Sequence, residues 1–246
     1  MLSVTTLLVI TAVFFSAFLR GIAGFGFALA AVPIVSLMVP PVEAVTLAVL
    51  LQVVVGCRDL FTLHGHVHKP SLARLSLGAI VGTPVGIFAL TAVSADAARV
   101  MIALAVLAGL ALLLRYKPAR PHPHGGLALL AGVASGAFSG LAAMPGPPAV
   151  AYYLGAGTTA VQTRASLLLF FFVASLLATP GLIWAGAVNG DALWLTLVSV
   201  PALALGTWAG TAAFARLDNT QYRSLAIVVM AISAVLAGWR GLSVYL

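Results

Sequence analysis

The sequence predicts an all-α polytopic membrane protein, arranged as two inverted repeats of about five helical segments with broken or re-entrant first pairs. Three observations predict it. Of 246 residues, 62% are hydrophobic and only 7% are charged, whereas a soluble domain covers its surface with roughly a quarter charged residues. Most of the surface must therefore face lipid, where backbone groups are satisfied only within helices or a closed barrel. The stretch 100–114 (VMIALAVLAGLALLL) is apolar on every side, whereas barrel strands alternate. The third observation is an internal repeat whose matching loops carry opposite charge bias. Composition and pattern together exclude a soluble enzyme, a disordered tail and a nucleic-acid module.

A membrane-spanning helix needs ~20 apolar residues, and the breaks between such runs define ten segments. They lie at about 3–19, 24–39, 42–62, 71–91, 96–114, 125–143, 147–156, 161–184, 191–213 and 220–240. Gly24-Phe25-Gly26 separates the first two, and Pro40-Pro41 precedes the third. Lys69-Pro70 precedes the fourth, and Pro145-Gly146-Pro147-Pro148 divides the sixth from the seventh. Glycine and proline at these points are the usual punctuation. The most polar and proline-rich stretch falls near the midpoint. It divides the chain into a first transmembrane repeat (1–116), a cytoplasmic linker (117–126) and a second transmembrane repeat (127–246). The opening Met1-Leu2-Ser3-Val4 lacks a basic region, so a cleaved signal peptide is not expected. A single cysteine, Cys57, leaves no internal disulfide framework.

The halves match in order. Gly82-Thr83-Pro84-Val85-Gly86 pairs with Gly206-Thr207-Trp208-Ala209-Gly210 at an offset of 124, which also pairs Arg99 with Arg223. Gly21-Ile22-Ala23 pairs with Gly140-Leu141-Ala142, and Val42-Glu43 with Val161-Gln162, at an offset of 119. The net charge of +7 then reads as a topology signal, because Lys and Arg are retained on the cytoplasmic side. Arg58, Lys69 and Arg74 mark one cytoplasmic loop, and Arg115, Lys117 and Arg120 another. Arg216 and Arg223 place a third inside, while the loops near Asp96 and Asp191 fall outside. Matching loops thus lie on opposite faces, the mark of an inverted repeat, with both termini outside.

Glycine permits chain reversal and proline ends a helix, so each break leaves backbone N–H groups free at the start of the next helix. Such a terminus carries about half a positive charge and holds anions. Two of them brought together near the midplane would form an anion site with little formal charge. Close helix packing through small residues is the plainer reading of the same glycines.

These residues carry a resemblance. Arg20-Gly21-Ile22-Ala23-Gly24-Phe25-Gly26-Phe27, with Pro33 and Pro40-Pro41-Val42-Glu43-Ala44-Val45, resembles the first signature of the TauE/SafE sulfite-exporter family. Ser135-Gly136-Ala137-Phe138-Ser139-Gly140 with Met144-Pro145-Gly146-Pro147-Pro148 resembles its partner, followed by Gln162-Thr163-Arg164-Ala165-Ser166. Cys57-Arg58-Asp59-Leu60 is similar to the end of the third segment in proteobacterial members. The chain departs from the family's glycine triplets, having Gly24-Phe25-Gly26 and Met144-Pro145-Gly146 in their place. The resemblance implies an inner-membrane permease that exports sulfite or a small organosulfur or carboxylate anion with ion coupling.

The candidate substrate-binding residues are Arg20, Gly21, Gly24, Phe25 and Gly26 at the first break and Gln52 in the third segment. Ser139, Gly140, Met144, Pro145 and Gly146 join them from the second break, with Arg164 and Ser166 from the eighth segment. Arg20 is either an embedded cation or a side chain reaching an interface. Arg164 reads equally as a cytoplasmic anchor. Glu43, opposite Gln162 in the repeat, is the coupling candidate, although it also suits a helix first turn. Thr46, Thr83 and Thr207 are further uncharged donors whose plainer role is bonding within or between helices.

His64, His66, His68, His122 and His124 fall in two basic loops. A transition-metal permease using them is one alternative, and a membrane scaffold without flux is another; no resident metal or cofactor is expected. An enzyme is not expected either. Serine chemistry needs a histidine base inside the membrane, and Asp59, Asp96, Asp191 and Asp218 fall near segment boundaries. Expected partners are a small anion, membrane lipid and a coupling proton or sodium, with a second copy of the chain left open. Nucleic acid is not a partner.

Overall fold

The computed structural model describes residues 3–115 and 124–214, which are helical apart from short connections. The ninth segment is followed by no described helix: the segment at 220–240, Arg216, Asp218, Arg223 and most of the linker lie outside the described residues. Helix α1 (Val4–Ala23) starts where the Ser3 hydroxyl accepts the Thr6 N–H at 3.1 Å, a normal N-cap. Helices α2 (Phe27–Val35) and α3 (Pro41–Leu63) follow, then α4 (Lys69–Thr91) and α5 (Ala95–Arg115). The second set is α6 (Gly125–Ala142), α7 (Gly146–Gly155), α8 (Ala160–Trp184) and α9 (Gly190–Phe214). Thr159 caps α8 by accepting the Gln162 N–H, and Asn189 caps α9 by accepting the Ala192 N–H.

Six of these helices, α1, α3, α4, α6, α8 and α9, are long and apolar enough to cross a membrane. The other short pair differs in kind. With 9 and 10 residues, α2 and α7 rise only about 14 and 15 Å at ~1.5 Å per residue, half of the ~30 Å hydrocarbon core. The first predicted segment, 3–19, ends four residues later in the structure, because the helix continues until Gly24 closes it. Arg20 and Gly21 therefore belong to the last turn of α1. The second, 24–39, contracts to Phe27–Val35, followed by a turn through Ser36 and Met38.

Two close helix pairs flank a buried centre. In α4, Gly78, Gly82 and Gly86 meet Leu129–Val133, Val133–Ala137 and Ala137–Leu141 of α6, in that order. The two helices therefore run parallel. The approach leaves no room for side chains: a Cβ on Gly136 would sit 2.7 Å from the Ala79 carbonyl oxygen, and one on Gly140 2.6 Å from the Ile87 nitrogen. Along α1, Phe14 and Phe18 meet Gly206 and Gly210 of α9, so this pair is parallel too. Backbones held this closely gain dispersion energy that lipid cannot match. Between the pairs lie α3 and α8, the most buried of the six spans, in contact where Gly56 receives the Phe172 ring.

Candidate functional site

Both helix pairs interrupted by a reversal place that reversal inside the protein. At the first, Gly24 adopts φ 75° and donates its N–H to the Arg20 carbonyl at 2.8 Å, closing α1. Gly26, at φ 96°, caps α2. Only glycine takes such angles at little cost, so the two glycines hold Phe25 between them, buried to 1% exposure. At the second, Ala143 takes the left-handed conformation at φ 54°. Its N–H reaches the Ser139 carbonyl at 2.8 Å and the Met144 N–H reaches Phe138 at 3.1 Å. Pro145 then caps α7.

The two reversals share one small cavity. Arg20 and residues 25–29 line it from the first, and residues 143–146 from the second. Gln52 of α3 and Phe171 of α8 complete the wall. Gln52 ties the sides together by donating its Nε2 to the Ala143 carbonyl at 3.1 Å. The volume is about 10 Å³, room for about one water, so an oxyanion enters only if the reversals separate.

Electrostatics differ across this cavity. The N–H groups of Phe27, Ala28 and Leu29 precede the first intrahelical bond of α2 and receive no side-chain cap. On the other side Pro147 and Pro148 have no N–H, so α7 starts with Gly146 as the donor nearest the cavity. Arg20 is 3% exposed; its Nη2 donates to the Asp59 carboxylate, and its Nε has no partner. A guanidinium so buried is held there by the charge opposite it.

The predicted residues separate by role. Arg20, Phe25, Gly26, Gln52, Met144, Pro145 and Gly146 gather at the cavity. Gly24 and Arg164 stand behind it: the Arg164 stem packs on Gly24 and its Nη2 donates to the Gly21 carbonyl at 2.8 Å. Gly21 faces Thr207 and Gly210 of α9, and Gly140 faces α4. Both serve the close helix pairs. Ser139 is buried with its hydroxyl unpartnered, and Ser166 accepts the His68 N–H at 3.0 Å. Glu43, in the first turn of α3, lines a separate cavity of about 220 Å³ with Thr5, Thr6, Asp191 and Trp194. Thr46 bonds its own helix at Val42, while the Thr83 and Thr207 hydroxyls are buried without partners.

Sequence reasoning missed Asp59, which it placed at a segment boundary. Helix α3 continues to Leu63, and Gln52, Val55, Gly56 and Asp59 fall on its buried face while Cys57, Arg58 and Leu60 point outward. That i, i+3, i+4, i+7 spacing was the available signal. It also missed Phe27, Ala28, Leu29 and Phe171 of the cavity wall. Of the histidines, His68 bonds Ser71, which bonds the Tyr152 hydroxyl at 2.7 Å. Among the described residues no three His, Cys, Asp or Glu side chains gather to hold a metal; His122 lies outside them.

Residues 9–237 match the family described as Sulfite exporter TauE/SafE. The chain belongs to this family. Among curated proteins it is similar to the "Probable sulfite/organosulfonate exporter TauE" of Cupriavidus necator, 24% identical over 201 residues that cover 78% of each chain. No solved structure matches it. The TauE/SafE assignment agrees with the apolar helices in making this a multi-pass membrane transport protein.

Proposed function

We propose that this protein is a secondary transporter of the bacterial inner membrane that exports sulfite or a small organosulfur or carboxylate anion by alternating access. The observation that carries the proposal is the meeting of two buried reversals at one cavity, lined by the uncapped start of α2 and by Arg20, whose Nε has no partner. Backbone donors and one guanidinium edge suit an oxyanion with coplanar oxygens. The printed name of the Cupriavidus relative, a sulfite/organosulfonate exporter, supports the same substrate class.

The proposed mechanism moves two halves of the chain against each other. The halves 1–116 and 127–246 are related by inversion, and several directions support this. Helix α1 runs parallel to α9, the counterpart of α4, and α4 runs parallel to α6, the counterpart of α1. His68 at the start of α4 meets Ser166 near the start of α8, so α8 begins where α3 ends. Relative movement of the halves parts the two reversals first toward one face and then toward the other. The anion stays on Arg20 and α2 while Gln52 gives up Ala143. Both termini lie outside in this arrangement. Glu43 remains the coupling candidate for a proton or sodium, through the cavity it shares with Asp191.

The test is flux into proteoliposomes holding the purified protein. Radiolabelled sulfite, methanesulfonate and acetate are offered with and without pH and sodium gradients. Saturable flux of one of them, lost with Arg20→Gln, is expected. Absence of flux for every anion, or flux of a transition metal alone, overturns the reading.

A further inference from the structure

Asp59 has no place in the transport scheme above, yet it is buried as deeply as the site itself. Its side chain is 9% exposed and that of Arg20 is 3%. The pair joins the last turn of α1 to the last two turns of α3 inside the protein. Only one edge of the guanidinium is used: Nη2 is held by Asp59, and Nε is unpartnered on a residue that lines the cavity.

We infer that Asp59 is a resident counter-ion that the transported anion displaces from Arg20, and that this displacement releases α3 from α1. The inference rests on the anion reading of the cavity. With the cavity closed, Arg20 and Asp59 cancel each other, while Arg164 stands behind Gly24 with its Nη2 on the Gly21 carbonyl. An oxyanion arriving at Nε and the α2 donors puts a second negative charge within a few ångströms of the carboxylate. Like charges that close repel strongly where water is scarce. One cation cannot hold both at full strength, and the substrate has the three α2 N–H groups that Asp59 lacks. Asp59 therefore yields. It sits on a helix that also reaches the second reversal through Gln52 and Ala143, so its release is felt on both sides of the cavity. Substrate binding and the opening movement become one event. Asp59 acts through Arg20 and is a positioning residue.

The test compares full-length wild type, Asp59→Asn and Asp59→Glu for sulfite and methanesulfonate binding and for proteoliposome flux. Asp59→Asn removes the competitor, so the Kd for sulfite is expected to fall at least about tenfold, the worth of a charge-assisted hydrogen bond. Its turnover is expected to fall as well, because the anion is no longer expelled when the carboxylate returns. Asp59→Glu restores both values toward wild type. A merely structural ion pair would lower stability and flux without tightening binding.

If Asp59→Asn is too unstable to assay directly, sulfite should raise its thermal unfolding temperature more than it raises that of wild type. Failure of that extra rise overturns the inference. So does a folded Asp59→Asn whose Kd is unchanged or weaker. The double variant Arg20→Gln/Asp59→Asn, neutral again, should fold and bind neither anion; tight binding by it also overturns the inference. Wild type that binds neither anion removes the transport reading together with this one. Wild type that binds while Asp59→Asn binds no tighter removes the counter-ion role alone.

Discussion

The two chain reversals begin alike, with a left-handed residue at Gly24 and at Ala143, and then part: Gly26 is left-handed where Pro145 is right-handed. At the offset of 119 that aligns the halves, Gly24 corresponds to Ala143, Phe25 to Met144 and Gly26 to Pro145. Arg20 corresponds to Ser139, and Gln52 to Phe171. The first reversal brings a guanidinium and three uncapped N–H groups. The second brings prolines that delete donors and a thioether, with the Phe171 ring of α8 beside them. The halves stay alike where α1 and α6 end and diverge where α2 and α7 begin, and that divergence sets the two walls of the cavity apart. Under the proposed function, separation of the reversals would expose one wall with a guanidinium and free N–H groups and one wall without them. Substitutions on each wall test that contrast.

Arg20→Gln against Ser139→Ala is the widest comparison. Losing the charged hydrogen bond to an anion costs about 1.5–3 kcal/mol, so flux at low anion concentration should fall roughly 10- to 100-fold. The same change strands Asp59, and removing one partner of a buried pair costs about 3–5 kcal/mol. A lower unfolding temperature should therefore accompany the lost flux. The Ser139 hydroxyl has no partner, and Ser139→Ala should leave both measurements near wild type. Equal losses from the two would show that the walls act alike.

Gly26→Ala tests the reversal that presents the α2 donors. At φ 96°, a side chain is strained by roughly 1–2 kcal/mol, and relief of the strain turns the N–H groups away. Flux should fall about tenfold, with sulfite Kd raised by a similar factor. Gln52→Leu is a smaller step. It leaves the Ala143 carbonyl without its donor at about 1 kcal/mol, and flux should fall several-fold in proteoliposomes. Because Phe171 already stands at the matching place, Phe171→Leu should do less.

How much of this was legible in the residues follows from their physics. Nine of the ten segments were readable because lipid forces apolar length and proline or glycine marks the ends; the tenth falls outside the described residues. The cavity was readable at Gly26 and Pro145 for the same reason, since reversals must lie where the helices stop. Gly21 and Gly140 could not be sorted between site and packing from sequence, because glycine serves reversal and close packing alike. The structure puts both against backbone. Asp59 was hidden by its place in α3: the predicted segment 42–62 already contained it, but a carboxylate so near the end reads as a boundary charge, and only the burial of that helix face sets it inside.

Ala143→Gly is the smallest and the most pointed of the substitutions, because it makes the second reversal resemble the first. Alanine at φ 54° carries a left-handed cost of about 1–2 kcal/mol. Glycine removes that cost but adds about 0.5–1 kcal/mol of unfolded-chain freedom, so the net should be stabilising by under about 1 kcal/mol. The reverse exchange, Gly24→Ala, should destabilise. It meets φ 75° and also sets a Cβ 2.5 Å from the Arg164 Cγ. The carbonyl that Gln52 holds is backbone and survives Ala143→Gly, so flux should stay at wild-type level while the unfolding temperature rises slightly. Lost flux with unchanged stability would instead mean that the strain at Ala143 is used in opening the cavity, and that the second reversal is more than a wall.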